Sequence, residues 1–148
     1  MIPADMVAKY FLAKVDEEVG DGISNLKLQK LVYYAQAYHL AMYDEPLFRD
    51  RIEAWEHGPV VPDLYHAYKG CGSGNIPVPQ DFEPDKYDER TADLLDEVYN
   101  VFGQYSAWKL RNMTHEERPW VEAYEGGERG RVISHRSMRE FYRDFVTD

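Results

Sequence analysis

Two glutamates and two histidines lie close together in one short stretch of the chain, IEAWEHGPVVPDLYHAYK, residues 52–69. Glu53 or Glu56 could serve as a general base and His57 as an acid, since carboxylates and imidazoles are the side chains that most often move protons in enzymes. This interpretation predicts a hydrolase. It requires Glu53, Glu56 and His57 to converge on one concave pocket.

The rest of the chain does not supply the partners that such chemistry usually needs. None of the five histidines falls in an H-x-x-E-H or H-E-x-x-H array, the spacings that hold zinc on a helix. The single cysteine, Cys71, excludes an internal disulfide and a four-cysteine metal cage, and it lacks a nucleophile motif. We therefore predict a protein that is not an enzyme, with no catalytic, cofactor-binding or metal-binding residues and no cofactor.

A structural interpretation of the same stretch is simpler. Residues 47–48 and 52–55 flank a charged turn, which predicts a small β-hairpin over residues 46–55. Alternation along the second strand places Glu53 and Trp55 on the same face. The glycine and prolines that follow carry the chain in extended form into a helix. On this view the stretch is architecture first.

Helical periodicity dominates the remaining sequence. Apolar spacing predicts a first helix over residues 5–18, and Ser24 can cap a central helix that runs to residue 43 and is apolar nearly all round. A later helix carries a stripe that includes Val101, and Ser134 starts the last one. The predicted fold class is mostly α: residues 1–148 form a single compact helical domain of about six or seven helices with the small hairpin.

The net charge of −10 at pH 7 argues against a nucleic-acid binder, which needs basic side chains to displace counterions from phosphates. One alternative remains in the last helix. Arg136, Arg139 and Arg143 lie within about 60° of one another around the helix axis, so they could form a basic stripe. A solvated helix face is the simpler interpretation of three such residues.

The negative charge is concentrated in residues 81–97, which hold eight acidic residues against two basic ones. An acidic run of this kind is usually a solvated surface. The sharper interpretation is a docking face for a basic partner protein, with Asp85, Asp88 and Asp93 as candidate contacts.

The sequence also bears on location. The longest uncharged apolar run, residues 31–43, is well short of the ~20 residues that cross a bilayer. The N-terminus lacks the basic-then-apolar layout of a secretory signal. We expect a cytoplasmic protein without a membrane partner.

Four segments occur in a distinctive order: LKLQKLVYYAQAYHLA, then PLF, then IEAWEHGPVVPDLYHAYK, and later SAWKLRNMTHEERPWVEAY. Together they resemble the signature of the Panacea domain family, which includes the SocA antitoxins and the phage-associated GepA proteins. The resemblance runs from about residue 25 to residue 124.

This resemblance implies an antitoxin of a toxin–antitoxin system, of a kind often encoded beside a small toxin on prophages and other mobile elements. It implies neutralisation of the cognate toxin by direct protein contact or, in one branch, an adaptor that presents the toxin to the ClpXP protease. No catalytic residue or cofactor comes with the family. Aromatic side chains are natural anchors for a protein partner. The candidates are Trp55 and His57, with Glu53 beside them, and Trp108 or Trp120.

Overall fold

The computed structural model describes residues 1–15, 22–125 and 130–146. Within these residues seven α-helices and a small antiparallel sheet account for the fold, which confirms the predicted mostly α class. The helices are α1 (Ala4–Ala13), α2 (Asn25–Tyr43), α3 (Pro62–Tyr68), α4 (Glu89–Phe102), α5 (Ala107–His115), α6 (Arg118–Tyr124) and α7 (His135–Tyr142). Short 3-10 helices occupy Lys69–Cys71, Pro84–Lys86 and Arg143–Phe145.

Helix α2 is the centre of the molecule, as its apolar composition predicts. It packs against α1, α4, α5 and α7, and 14 of its 19 residues are buried. The Ser24 hydroxyl accepts a hydrogen bond from the Lys27 amide at 3.3 Å and so caps the first turn. The helix ends at Asp44, which adopts a left-handed conformation with φ 59°.

The hairpin lies further along the chain than predicted. Strand β1 (Glu53–Trp55) pairs with β2 (Gly58–Val60), so the turn falls after Trp55 and not between residues 49 and 51. Residues 47–48 do not form a strand, because their backbone amides and a carbonyl are hydrogen-bonded to a buried glutamine of α2. Gln36 accepts hydrogen bonds from both of their amides, at 2.7 and 3.4 Å, and donates one to the Phe48 carbonyl at 2.8 Å.

A third strand completes the sheet from the far end of the sequence. Strand β3 (Arg131–Val132) pairs with the other edge of β1, giving the order β2-β1-β3. The Ile133 amide donates to the Ile52 carbonyl at 2.8 Å and extends this contact. Glu53 and Trp55 share one face of β1, as the alternation predicts, while Ala54 is buried on the other.

The end of α1 differs from the prediction, whereas the start of α7 agrees with it. Helix α1 ends at Ala13, because the amides of Lys14 and Val15 bond to carbonyls three residues back and tighten the last turn. The remainder of its predicted extent, residues 16–18, and most of the predicted turn after it lie outside the described residues. Ser134 caps α7 as predicted, accepting from the Ser137 amide at 3.0 Å. None of the helices described has both the length and the apolar character that a membrane span requires.

Candidate functional site

A concave surface of about 640 Å³ opens between the first half of α2, the hairpin turn and α3. We call it the Trp55 cleft, after the side chain that forms its aromatic wall together with Tyr65. Their ring centroids lie 5.1 Å apart in an edge-to-face arrangement. Glu53, Glu56 and His57 also line this cleft. The fold thus brings the candidate residues of the hairpin to one surface.

The opposite wall of the cleft is polar and belongs to α2. Asn25 and Gln29 are buried there, one helical turn apart, and are joined by a hydrogen bond of 2.9 Å. Asn25 also donates to the Tyr65 carbonyl at 3.1 Å, and Gln29 accepts from the Val61 amide at 3.0 Å. These bonds tie α2 to the chain entering α3.

A fully buried lysine lies at the base of this wall. The Nζ of Lys30 donates to the Pro59 carbonyl at 3.2 Å, which is its one hydrogen bond in the part of the chain that the structure describes. Gly58 makes this approach sterically feasible, since it has φ +112° and any Cβ there would collide with the Lys30 side chain. Burial lowers the pKa of Lys30 to about 7, and the nearby Arg111 charge acts in the same direction.

Glu53 positions the Trp55 ring. Its Oε1 accepts from the indole Nε1 at 2.9 Å, and its Oε2 accepts from Arg51 Nε at 2.7 Å. Burial raises the pKa of Glu53, but these two hydrogen bonds outweigh it and the pKa is lowered overall. The carboxylate is therefore ionised with both oxygens engaged. It holds an aromatic side chain in place and does not have the free oxygen of a general base.

An exposed tryptophan extends the cleft at its rim. Trp108 on α5 is 54% exposed, and its ring centroid lies 5.9 Å from that of His57. Arg111 covers the Trp108 ring at 4.3 Å and donates from Nε to His57 Nδ1 at 3.1 Å. Stacked arginine and tryptophan side chains beside a pocket are typical of protein interfaces.

The cleft favours binding over proton transfer. A hydrolase needs its acid and base within hydrogen-bond reach of a shared reacting group. In the described residues no hydrogen bond joins His57 to Glu53 or Glu56, and His57 Nδ1 already accepts from Arg111. No group of three or more His, Cys, Asp or Glu side chains in the described ranges could hold a metal ion.

Comparisons with known proteins identify the family. The family model described as Antitoxin SocA-like, Panacea domain, matches residues 28–121, more than half of the chain. The protein belongs to this family. The curated Antitoxin SocA of Caulobacter vibrioides (strain NA1000 / CB15N) is 44% identical over 50 residues, which are 34% of this chain and 27% of that protein. No solved structure gives a significant match.

The Panacea match covers most of the Trp55 cleft and its rim, because Trp55, His57 and Trp108 all lie between residues 28 and 121. So do Lys30 and Arg111, which the sequence reasoning missed. The burial of Lys30 could have been predicted from its position in α2, a helix that is apolar nearly all round. A lysine there has no solvent-facing side on which to lie.

The acidic segment outside the cleft is not one free surface. Asp88 is the N-cap of α4, with its carboxylate accepting from the Thr91 amide at 2.8 Å. This structural role means that Asp88→Lys would remove a helix cap. Two further acids form ion pairs with lysines, Asp81 with Lys9 of α1 at 2.9 Å and Asp96 with Lys14, the residue after α1, at 2.7 Å. Asp85 and Asp93 are exposed, and their contact with a partner remains a prediction.

The basic stripe predicted for the last helix is largely neutralised by carboxylates, and its third member, Arg143, lies in the 3-10 helix after α7. Arg136 pairs with Glu140 at 3.0 Å, and Arg139 pairs with Asp44 at 2.9 Å. Two of the three arginines are thus engaged within the protein. The geometry gives no support to the nucleic-acid interpretation.

Trp120 has a supporting role. It is 8% exposed, its ring lies tilted against that of His115 with centroids 3.9 Å apart, and it donates from Nε1 to the Trp55 carbonyl at 2.8 Å. Trp120 therefore holds the backbone of β1 from behind. Of the three candidate tryptophans, Trp55 lines the cleft, Trp108 is exposed at its rim and Trp120 is buried.

Proposed function

We propose that this protein is an antitoxin that neutralises a cognate toxin by direct contact, and that the Trp55 cleft with Trp108 at its rim holds the toxin. Membership in the Antitoxin SocA-like, Panacea domain family is the observation that carries the proposal. The cleft supports it, since a rigid pocket with an exposed tryptophan beside it has the form of an interface hot spot.

The chemistry of the rim indicates how the toxin is held. Trp108 offers a large apolar face, and Arg111 covers that ring while fixing His57. Tryptophan and arginine anchors contribute most when a partner excludes water from them. We expect an apolar or aromatic side chain of the toxin to enter the cleft beside Trp55.

The test uses the toxin encoded beside this protein, co-expressed in a bacterial host and then purified as a complex. Trp108→Ala and Trp55→Ala should each speed dissociation at least about tenfold, the effect of losing an interface anchor worth roughly 1.4 kcal/mol or more. Val121→Ala is the matched control, because Val121 is 45% exposed and does not line the cleft. Circular dichroism must show that each variant is folded. Unchanged dissociation in both folded tryptophan variants would contradict the proposal.

A second experiment distinguishes neutralisation by binding from delivery of the toxin to a protease. Growth rescue should persist in a host that lacks ClpXP, with the amount of toxin unchanged, because binding alone blocks the toxin. Loss of rescue in that host, together with a longer toxin lifetime, would assign the adaptor role and overturn direct neutralisation.

A further inference from the structure

A second concave surface lies at the other end of α2, about 18 Å along the helix from Lys30 at 1.5 Å per residue. It has a volume of about 370 Å³ and opens between the last turns of α2, the outer face of α4 and the C-terminal 3-10 helix. We call it the Met42 groove. Its lining residues include Met42 from α2, Asp93, Glu97 and Val101 from α4, and Phe145.

Three large apolar side chains of the groove are exposed to solvent. Met42 is 47% exposed, Val101 is 40% exposed and Phe145 is 57% exposed, although the sequence places Val101 in the buried stripe of α4. The floor beneath them is also apolar, since Leu94 and Phe102 line the same groove. Contiguous exposed apolar side chains of this kind mark sites of protein interaction.

One rim of the groove is acidic. Asp93 and Glu97 lie four residues apart on α4, so their carboxylates are neighbours on one helical face. Neither forms an ion pair or hydrogen bond within residues 1–15, 22–125 and 130–146. The nearest base in sequence, Arg90, pairs with Glu45 at 2.7 Å and lies 3.9 Å from the ring of Tyr43, which also lines the groove, and it makes no ion pair with either carboxylate of the rim.

We propose that the Met42 groove is a docking site for a basic amphipathic helix of a partner protein. Apolar side chains on one face of that helix would pack against Met42, Val101 and Phe145, and flanking lysines or arginines would pair with Asp93 and Glu97. The ridge formed by residues 93, 97 and 101 has the i, i+4 spacing along which helices pack. From residue 93 to residue 101 it is about 12 Å long, enough for roughly two turns of a partner helix.

Charge complementarity selects this occupant over a second copy of the chain. A copy carries the same net charge of −10, and this like charge opposes the association of two copies, whereas a basic helix is attracted to the unpaired carboxylates of Asp93 and Glu97. The groove is separate from the Trp55 cleft. This inference therefore does not depend on which toxin the cleft holds, and its failure leaves the proposed function unaffected.

The probe is a fluorescein-labelled synthetic helix of about 18 residues, long enough to be helical, with leucines on one face and lysines beside them. Two matched peptides carry serine in place of each leucine, or glutamate in place of each lysine. Binding to the full chain is followed by fluorescence anisotropy. Amide NMR shifts of the isotope-labelled protein locate the peptide.

We expect the basic peptide to bind with shifts centred on residues 93–102, and both matched peptides to bind at least about tenfold more weakly. Val101→Glu should weaken binding by a similar factor, and the double change Asp93→Lys and Glu97→Lys should transfer the preference to the glutamate peptide. Asp85→Lys is the control, since this exposed acid belongs to the same segment but does not line the groove.

Three results would overturn the proposal. Equal binding of the serine peptide, or an equal effect of Asp85→Lys, would mean diffuse attraction to the acidic segment. Shifts centred on the Trp55 cleft would assign the peptide to the other surface. Concentration-dependent self-association that Val101→Glu abolishes, measured by sedimentation, would assign the groove to a second copy of the chain.

Discussion

The Trp55 cleft and the Met42 groove lie at the two ends of the same helix and differ in how their polar groups are satisfied. In the cleft, Glu53, Asn25 and Gln29 are all engaged in internal hydrogen bonds. In the groove, the carboxylates of Asp93 and Glu97 have no such partner within the described residues. The engaged groups of the cleft leave its aromatic wall to recognise a partner by shape. The unpaired carboxylates of the groove attract a basic partner, beside apolar side chains of which methionine adapts most readily.

Each surface also has an ionisable group beneath it, fully buried in the case of Lys30 and half-buried in that of Glu117, and one group is a base and the other an acid. Lys30 lies under the cleft with one hydrogen bond. Glu117 lies under the aromatic floor of the groove, where it accepts hydrogen bonds from the hydroxyls of Tyr34 at 2.8 Å and Tyr142 at 2.7 Å. The ring of Tyr34 in turn stacks on Phe102 of the groove at 4.0 Å. The contributions of Lys30 and Glu117 to the free energy of unfolding should therefore change with pH in opposite directions.

The largest expected effect comes from the helix that the two surfaces share. Leu31 is fully buried in α2, so Leu31→Ala should lower the free energy of unfolding by about 2–5 kcal/mol through lost packing and the cavity left behind. Urea denaturation followed by circular dichroism measures this. Met42→Ala is the matched control, because Met42 lies on the same helix and is 47% exposed. Its cost should stay under about 1 kcal/mol. Equal costs would show that α2 does not divide into core and surface in this way.

Local signals allowed the helices to be predicted from the sequence. Ser24 and Ser134 mark helix starts because their hydroxyls cap amides only three residues away, and the apolar run of α2 requires burial on all sides. The fold class and the family resemblance follow from such short-range patterns. They are the parts of the prediction that the structure and the comparisons confirm.

Long-range contacts explain what the sequence could not predict. The strand expected at residues 47–48 is absent because Gln36, eleven residues earlier than Leu47, takes its amide. Lys30 is buried because the hairpin closes over it at Gly58, and Val101 is exposed because no other described element covers that part of α4. Each case depends on which elements meet in space, and periodicity does not encode that.

The next largest effect is the pH dependence of stability that Lys30, beneath the cleft, produces. Lys30 has a pKa of about 7 in the folded protein and an ordinary value of 10.5 when unfolded. Between these values the unfolded chain holds one more proton, so the free energy of unfolding should rise with pH from about 7 to about 9. Lys30→Met removes this contribution. The wild-type slope should exceed that of the variant by up to about 1.4 kcal/mol per pH unit.

The control for this slope is another lysine of the same cleft. Lys69 also lines the cleft but is exposed, so Lys69→Met should leave the slope as it is in the wild type. Urea denaturation at several pH values provides the comparison. Parallel curves for the wild type and Lys30→Met would mean that Lys30 does not change its protonation on folding in this range.

The smallest effect is the pH dependence of stability that Glu117, beneath the floor of the groove, produces. Burial raises the pKa of Glu117, although hydrogen bonds from Tyr142 and Tyr34 oppose the rise. The folded protein then holds the extra proton above the ordinary pKa of 4.5, so this group's contribution to stability is largest below that value and falls as pH increases through the folded pKa. Glu117→Gln keeps an oxygen for both tyrosines and removes the charge. It should raise the free energy of unfolding at pH 7 and flatten the decline relative to the wild type. Glu116→Gln, an exposed neighbour, should do neither, and a loss of stability at pH 7 in Glu117→Gln would show that the charged carboxylate stabilises the aromatic floor.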